Sequence, residues 1–281
     1  MKRTVLFCAI SALPYAALAD ELPLATVIIT AKGSETPGMA AVAAGTLRAQ
    51  QAATSDTASL LRDVPGVSLY GAGGASSLPV IRGLADDRLR IKVDGMDLIA
   101  SCPNHMNPAL SYLDPSNVAR LKVYAGMTPV SVGGDSIGGA IVADTPAPVF
   151  AAPGAATLVK GEVGGFYRSN GDATGSNLSA TVAGEALSVS YAGSTAKSHN
   201  YRAGGAFRTQ AATGRAGHAL PLDEVGSSAY DTRNHTLGLA WRGAGQLLEA
   251  KFGYQDLPEQ LYPNQRMDML QNTQRRLNLR Y

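Results

Sequence analysis

The sequence predicts a small α/β domain followed by the start of an antiparallel transmembrane β-barrel, truncated after a few strands. Three observations lead there. Gly accounts for 31 of 281 residues and charged residues for only 16%, with short alternating stretches set between Gly, Ser and Thr clusters, a β-rich signature. The pattern changes near residue 150, from short mixed elements to long strands. The connections between those long strands then alternate between short and long, as they do where a barrel keeps turns on one side of a membrane and loops on the other.

In chain order, residues 1–19 (MKRTVLFCAISALPYAALA) read as a secretory signal peptide: Lys2 and Arg3 form the basic start, and Ala17-Leu18-Ala19 fits a small-x-small cleavage site. The apolar run from Val5 to Ala12 is well short of the roughly 20 residues a membrane-spanning helix needs. The mature chain is expected to begin at Asp20 in an exported, oxidising compartment. Cys8 leaves with the signal, so Cys102 becomes the only thiol. An unpaired Cys in an exported protein points to a reactive thiol, an intermolecular disulfide or a metal ligand. The net charge of +2, with no basic block, gives no reason to expect nucleic acid as a partner. No later stretch approaches 18 or so consecutive apolar residues, which excludes a transmembrane helix but not barrel strands of about 9–11 residues.

Residues 20–45 read as an extended, mobile segment with one β-forming run, Thr26-Val27-Ile28-Ile29-Thr30-Ala31. Residues 56–63 read as a short helix capped by Asp56 and stopped by Pro65-Gly66. Strands are expected over 67–70, 79–82 and 88–94, the last ending in the Asp94-Gly95 turn, followed by an irregular Pro-bracketed loop over 101–108. A helical turn over 114–119, a strand over 120–124 and a Gly-rich turn over 133–139 that enters a last strand complete the α/β domain. The stretch 146–153 (PAPVFAAP) is a linker. The expected organisation is therefore signal peptide 1–19, N-terminal segment 20–45, α/β domain 46–148 and barrel strands 149–281.

Six strands are expected in that last part, over 156–168, 177–183, 186–196, 231–242, 246–255 and 274–281. Leu187-Ser188-Val189-Ser190-Tyr191 shows the alternation, with one apolar and one polar face. A barrel with a wet interior needs this, and a soluble β-sandwich gives it equally. Loop lengths discriminate better: Gly184-Glu185 and Gly243-Ala244-Gly245 are short, whereas 197–230 and 256–273 are long. Six strands fall short of the roughly eight that close the smallest barrels, so the sequence reads as a fragment of its barrel.

These stretches carry a family resemblance. TVIITA (26–31), LLRDVPGV (60–67), PVIRGL (79–84), RIKVDG (90–95), ARLKVYAG (119–126) and the Gly-rich turn and strand at 133–142 occur in the order found in TonB-dependent outer-membrane receptors. The resemblance covers residues 26–145. It implies that the α/β domain is a plug inside a barrel of about twenty-two strands, in the cell outer membrane. It also implies that Thr26, Val27, Ile28, Ile29 and Thr30 form the TonB box, which pairs by strand addition with a TonB-type periplasmic energy-transducing protein. Such a protein is a receptor and transporter, not an enzyme. Consistently, the sequence shows no Ser/His/Asp arrangement and no HExxH, and the turn at 133–139 lacks the Gly-Lys-Ser/Thr ending of a phosphate-binding loop.

The cargo is argued from sulfur. Ser101-Cys102-Pro103-Asn104-His105-Met106-Asn107-Pro108 follows the Asp94-Gly95 turn, and Cys102 and Met106 stand four residues apart, so one tight turn aims both sulfurs at one ion. Thiolate and thioether select Cu(I) over hard cations. Met267 and Met269 lie in the polar stretch PNQRMDMLQN of the long connection 256–273. In an extended segment residues i and i+2 face the same side, so both are expected to face inward. The combination resembles the copper-receptor branch of the family, which pairs Cys-x-x-x-Met on the plug with His-x-Met on a barrel loop. Met267 stands here at the His position, which makes the set softer. His105 is a further candidate ligand or a neighbour that orients the others. His199, His218 and His235 share no spacing and read as surface residues. The same architecture importing an iron–siderophore or another metal chelate is the alternative. Large chelates call for aromatic and Arg side chains, and aromatic residues are 6% of the chain.

Overall fold

The computed structural model describes residues 38–100, 102, 104–134, 136–263 and 267–281. The expected signal peptide and the TonB-box candidates Thr26 to Thr30 lie outside the described residues. The first part of the chain carries β1 (Met39–Ala41), α1 (Ala44–Gln51), β2 (Val67–Gly71), β3 (Ser77–Ile81), β4 (Leu89–Val93), β5 (Met96–Asp97), β6 (Arg120–Ala125) and β7 (Gly139–Asp144). Five of these strands make one sheet in the order β1-β6-β7-β4-β5, and β2 and β3 pair as a separate hairpin. Within the sheet β4 and β7 run parallel, and the other pairs are antiparallel. Leu47 of α1, Leu60 and Leu61 of the following turn, Ile81, Leu121, Val123 and Ile141 meet in one core.

Several expectations are shifted by local chemistry. Residues 44–51 form α1, where the sequence reading had the extended segment running to 45. That helix has no side-chain N-cap, its N-cap position being Ala43, so the usual start signal is missing. The expected helix over 56–63 is a shorter 3-10 turn, Thr57–Leu61. Asp56 does cap it: its carboxylate accepts from Ala58 N at 3.1 Å and Ser59 Oγ at 2.7 Å. Asp56 is buried, and that burial raises its pKa against the lowering effect of hydrogen bonds from Ser77, Ser59 and Ala58. At the entry to β7, Gly139 has φ +118°, and a Cβ there would lie 1.9 Å from the Tyr124 carbonyl oxygen. Only glycine fits that approach.

The second part is a six-stranded antiparallel meander in sequence order: β8 (Leu158–Arg168), β9 (Ala173–Ala183), β10 (Leu187–Ser198), β11 (Tyr230–Gly243), β12 (Gln246–Gln260) and β13 (Asn272–Arg280). β9 starts four residues earlier than the alternation suggested, because the Gly- and Ser-rich 173–176 pairs with the end of β8. β12 runs five residues further, to Gln260, past a register shift opposite Asp231 and Arg233, so the long connection shrinks to 261–271. The tight turn between β11 and β12 puts Ala244 and Gly245 at φ +50° and +78°, the pair of positive φ values a two-residue hairpin requires.

The two faces of this sheet are inverted relative to a soluble sandwich. Val189, Leu237, Leu239, Trp241, Leu248, Phe252, Leu277 and Leu279 are exposed, while Ser188, Thr232, Glu249, Gln255 and Asn278 are buried. The polar face meets the α/β domain. Gln255 Nε2 donates to the Ser111 carbonyl at 2.9 Å, Arg276 Nη1 to the Tyr112 carbonyl at 2.8 Å, and Asn278 Nδ2 to the Asp94 carbonyl at 2.7 Å. The Asp94 side chain, 5% exposed, accepts from Thr145 N and Oγ1 and pairs with Lys251 Nζ at 3.2 Å. No described helix is long and apolar enough to cross a membrane, which says nothing of strands.

Candidate metal centre at the 102–106 turn

His105 N donates to the Cys102 carbonyl at 2.9 Å, closing a tight turn with His105 at φ +50°. The turn places Met106 in a buried cluster with Ala72 and Tyr262, and Cys102 and Met269 pack against that cluster. Two chain segments more than 150 positions apart thus bring three sulfur side chains together. Their approach depends on the β2–β3 hairpin: a Cβ on Gly73 would lie 2.5 Å from the Leu261 carbonyl oxygen, and one on Gly74 2.4 Å from the Tyr230 ring. A larger residue at Gly73 would push the 261–271 loop away, and one at Gly74 would meet the Tyr230 ring of β11.

The loop itself is held by polar bonds. Met269 and Gln260 exchange two backbone hydrogen bonds, Gln260 N to Met269 O at 2.9 Å and Met269 N to Gln260 O at 3.0 Å. Tyr262 N donates to Asp268 Oδ1 at 3.0 Å, and Ser227 Oγ donates to Asp268 Oδ2 at 3.1 Å. Asp268 thus bonds back to Tyr262 while Met269 bridges Gln260. Met269 faces the cluster, whereas Met267 lies outside it and is 55% exposed. His105 also faces elsewhere: Nδ1 is 4.0 Å from Asp86 Oδ1 and Nε2 is 3.7 Å from Asp87 Oδ2.

Two neighbours of the sulfurs carried no sequence signal strong enough to single them out. Tyr262 is 1% exposed, and burial, with the nearby Cys102, Tyr112 and Asp268, raises the pKa of its hydroxyl, so it stays a donor. Asn107 is equally buried; its Nδ2 reaches Tyr112 Oη at 3.1 Å, and its Oδ1 accepts from Ser111 Oγ. The clue in hindsight is position: Asn107 follows Met106 directly, and Tyr262 is an aromatic in an otherwise polar loop.

Chemically, the cluster offers one thiol and two thioethers in a partly dry setting, a donor set for a soft monovalent ion. Among the described residues no group of three or more His, Cys, Asp or Glu is placed to hold a metal. A gap of about 590 Å³ between α1 and the sheet is lined by Asp114, Glu162, Arg48 and Lys251 and by no sulfur, which makes it a different environment.

Comparison with known proteins agrees with this architecture. Residues 32–140 match the family model of the TonB-dependent Receptor Plug Domain. The hemin receptor of Yersinia pestis is 30% identical over 125 residues, covering 43% of this chain and 18% of that protein. The hemin receptor of Yersinia enterocolitica is 28% identical over 155 residues, covering 53% and 21%. The chain therefore spans about a fifth of the length of these relatives. Among solved structures, the copper transporter OprC superposes with a TM-score of 0.68 at 24% identity, over 86% of this chain and 34% of that one. The ferric enterobactin receptor PfeA of Pseudomonas aeruginosa gives 0.56 at 21%, over 79% and 33%. At these identities the superpositions speak for the fold. The α/β domain has the fold of a plug, and the strands behind it have that of a partial barrel, as in the TonB-dependent receptors it resembles.

Proposed function

We propose that this chain acts in the outer membrane as part of a TonB-dependent import receptor whose cargo is copper, taken as Cu(I) by Cys102, Met106 and Met269. The observation that carries the reading is the convergence of three sulfurs from the plug turn and the 261–271 loop on one buried cluster. Thiolate supplies the anionic soft donor and the two thioethers the neutral ones. Met267 and His105 stay outside this set. Thr26 to Thr30 serve as the strand that a TonB-type energy-transducing partner pairs with, which is how pulling force reaches the plug. A second reading, a chelate such as heme, draws support from the relatives named hemin receptors. Against it, the aromatic of the cluster, Tyr262, is fully buried and presents no ring face to a large planar ligand.

The test is copper stoichiometry by elemental analysis after anaerobic purification, beside a hemin titration followed by absorbance. Cys102→Ala is expected to lose at least nine-tenths of the bound copper (a factor of about ten in affinity corresponds to roughly 1.4 kcal/mol). Met106→Leu, which conserves volume, is expected to lose less. Full copper occupancy in Cys102→Ala, or tight hemin binding with no copper, would sink the sulfur reading.

A further inference from the structure

The thioether of Met269 is already engaged. Asn107 Nδ2 lies 3.8 Å from its sulfur and Tyr262 Oη 3.9 Å, both within reach of sulfur's larger radius and its weak acceptor character. Both donors are buried at 1% exposure, and neither is free to swing into water. Asn107 is fixed further by its bonds to Tyr112 and Ser111. Tyr262 is fixed through its backbone N–H on Asp268.

We infer that Asn107 and Tyr262 are positioning residues that cap the Met269 sulfur, so that an incoming soft cation competes with two hydrogen-bond donors for that sulfur's lone pairs. This rests on the copper reading but adds regulation to it: the donors set how tightly the site holds its ion and bias it against weak binders. A metal takes one lone pair and leaves room for one donor, so at least one of the two contacts is given up on loading. The contact from Tyr262 is the one that can be removed cleanly. Tyr262→Phe keeps the ring in its pocket and strands no buried polar atom, because the thioether tolerates being unpaired far better than an amide or hydroxyl does.

The sign of the effect separates this role from two others. If Tyr262 caps the sulfur, Tyr262→Phe destabilises the ion-free site alone and binding becomes tighter. If Tyr262 instead contributed its oxygen to the ion, or only propped the loop, the same substitution would weaken binding or leave it unchanged. The probe is Ag(I), a redox-inert soft monovalent ion, titrated against the wild-type chain and Tyr262→Phe in the same detergent. Tightening of about three- to tenfold is expected, the worth of one weak hydrogen bond. A second readout needs no metal: the rate at which dilute peroxide converts Met269 to its sulfoxide, followed by peptide mass. Removing a donor leaves the sulfur more nucleophilic, so Met269 is expected to oxidise faster in Tyr262→Phe, with Met267 as the internal reference. Equal or weaker Ag(I) binding together with an unchanged oxidation rate would overturn the cap while leaving the sulfur site standing. Absence of Ag(I) binding by the wild-type chain would overturn the copper reading, and the oxidation ratio alone would then decide whether Tyr262 caps the sulfur.

Discussion

In the plug, Leu121, Val123 and Ile141 point from neighbouring strands into a shared apolar core; in the sheet behind it, Leu237, Leu239 and Trp241 point away from the protein while Ser188, Thr232 and Asn278 point in. The same chain thus obeys the hydrophobic effect in two opposite senses within a few tens of residues. The plug excludes water from its own interior. The sheet leaves its apolar face outward, as a barrel in hydrocarbon would, and turns its polar face to bonds with plug carbonyls. Sequence alternation looks the same in both cases, and only the partner of each face tells them apart.

The comparison breaks most completely if the plug does not depend on its own close packing. Gly139→Ala is expected to cost more than about 4 kcal/mol, enough to unfold a marginal domain, because the new Cβ collides with the Tyr124 carbonyl where nothing flexible can yield. Loss of the plug's cooperative thermal transition would show it. A variant that melts as wild type does would mean that β6 and β7 are not held as described. On the sheet, Leu239→Arg is expected to cost about 2–4 kcal/mol in a bilayer, although Leu239 touches no plug core. Reversible unfolding into lipid vesicles measures this, and a neutral result would deny that the outer face meets hydrocarbon. The smallest effect concerns Asp56. Its pKa is raised in the folded plug, so on acidification the folded state takes up the proton before the unfolded chain does, and stability gains as pH falls through the raised value until about pH 4, where the unfolded carboxyl also protonates. Asp56→Asn keeps an oxygen acceptor for Ala58 N and should erase this gain, whereas Asp56→Ala should lose about 1 kcal/mol of capping at every pH. Identical acid profiles for wild type and Asp56→Asn would remove burial as the cause.

Much of this was legible in the chain. Strand periodicity located all six sheet strands, and short-range turn chemistry such as Pro65-Gly66, Asp94-Gly95 and Gly243-Ala244-Gly245 fixed most boundaries. What stayed hidden depends on contacts across the chain. α1 lacks a capping side chain, so nothing local announces it. The extension of β12 to Gln260 is paid out by pairing with Tyr230 and Asp231, which no window of sequence contains. At the sulfur cluster, residue chemistry nominated Cys102, Met106, Met267 and Met269 alike, and the placing of Met267 outside the cluster was not legible in the i, i+2 spacing. Asn107 and Tyr262 gain their places only once the 261–271 loop is laid over the plug hairpin.

That hairpin has a consequence of its own. Gly73 lets the 261–271 loop sit directly on the plug, so that Met269 is offered by one body and Cys102 with Met106 by another. In the proposed site an ion shared between them would be held as a chelate, with each side supplying the other at a high effective concentration. Separation of the two bodies by a few ångströms abolishes that advantage at once, and a tight complex becomes two feeble ones. The strength of the grip and the ease of letting go are then set by the same interface, and neither can be tuned without the other.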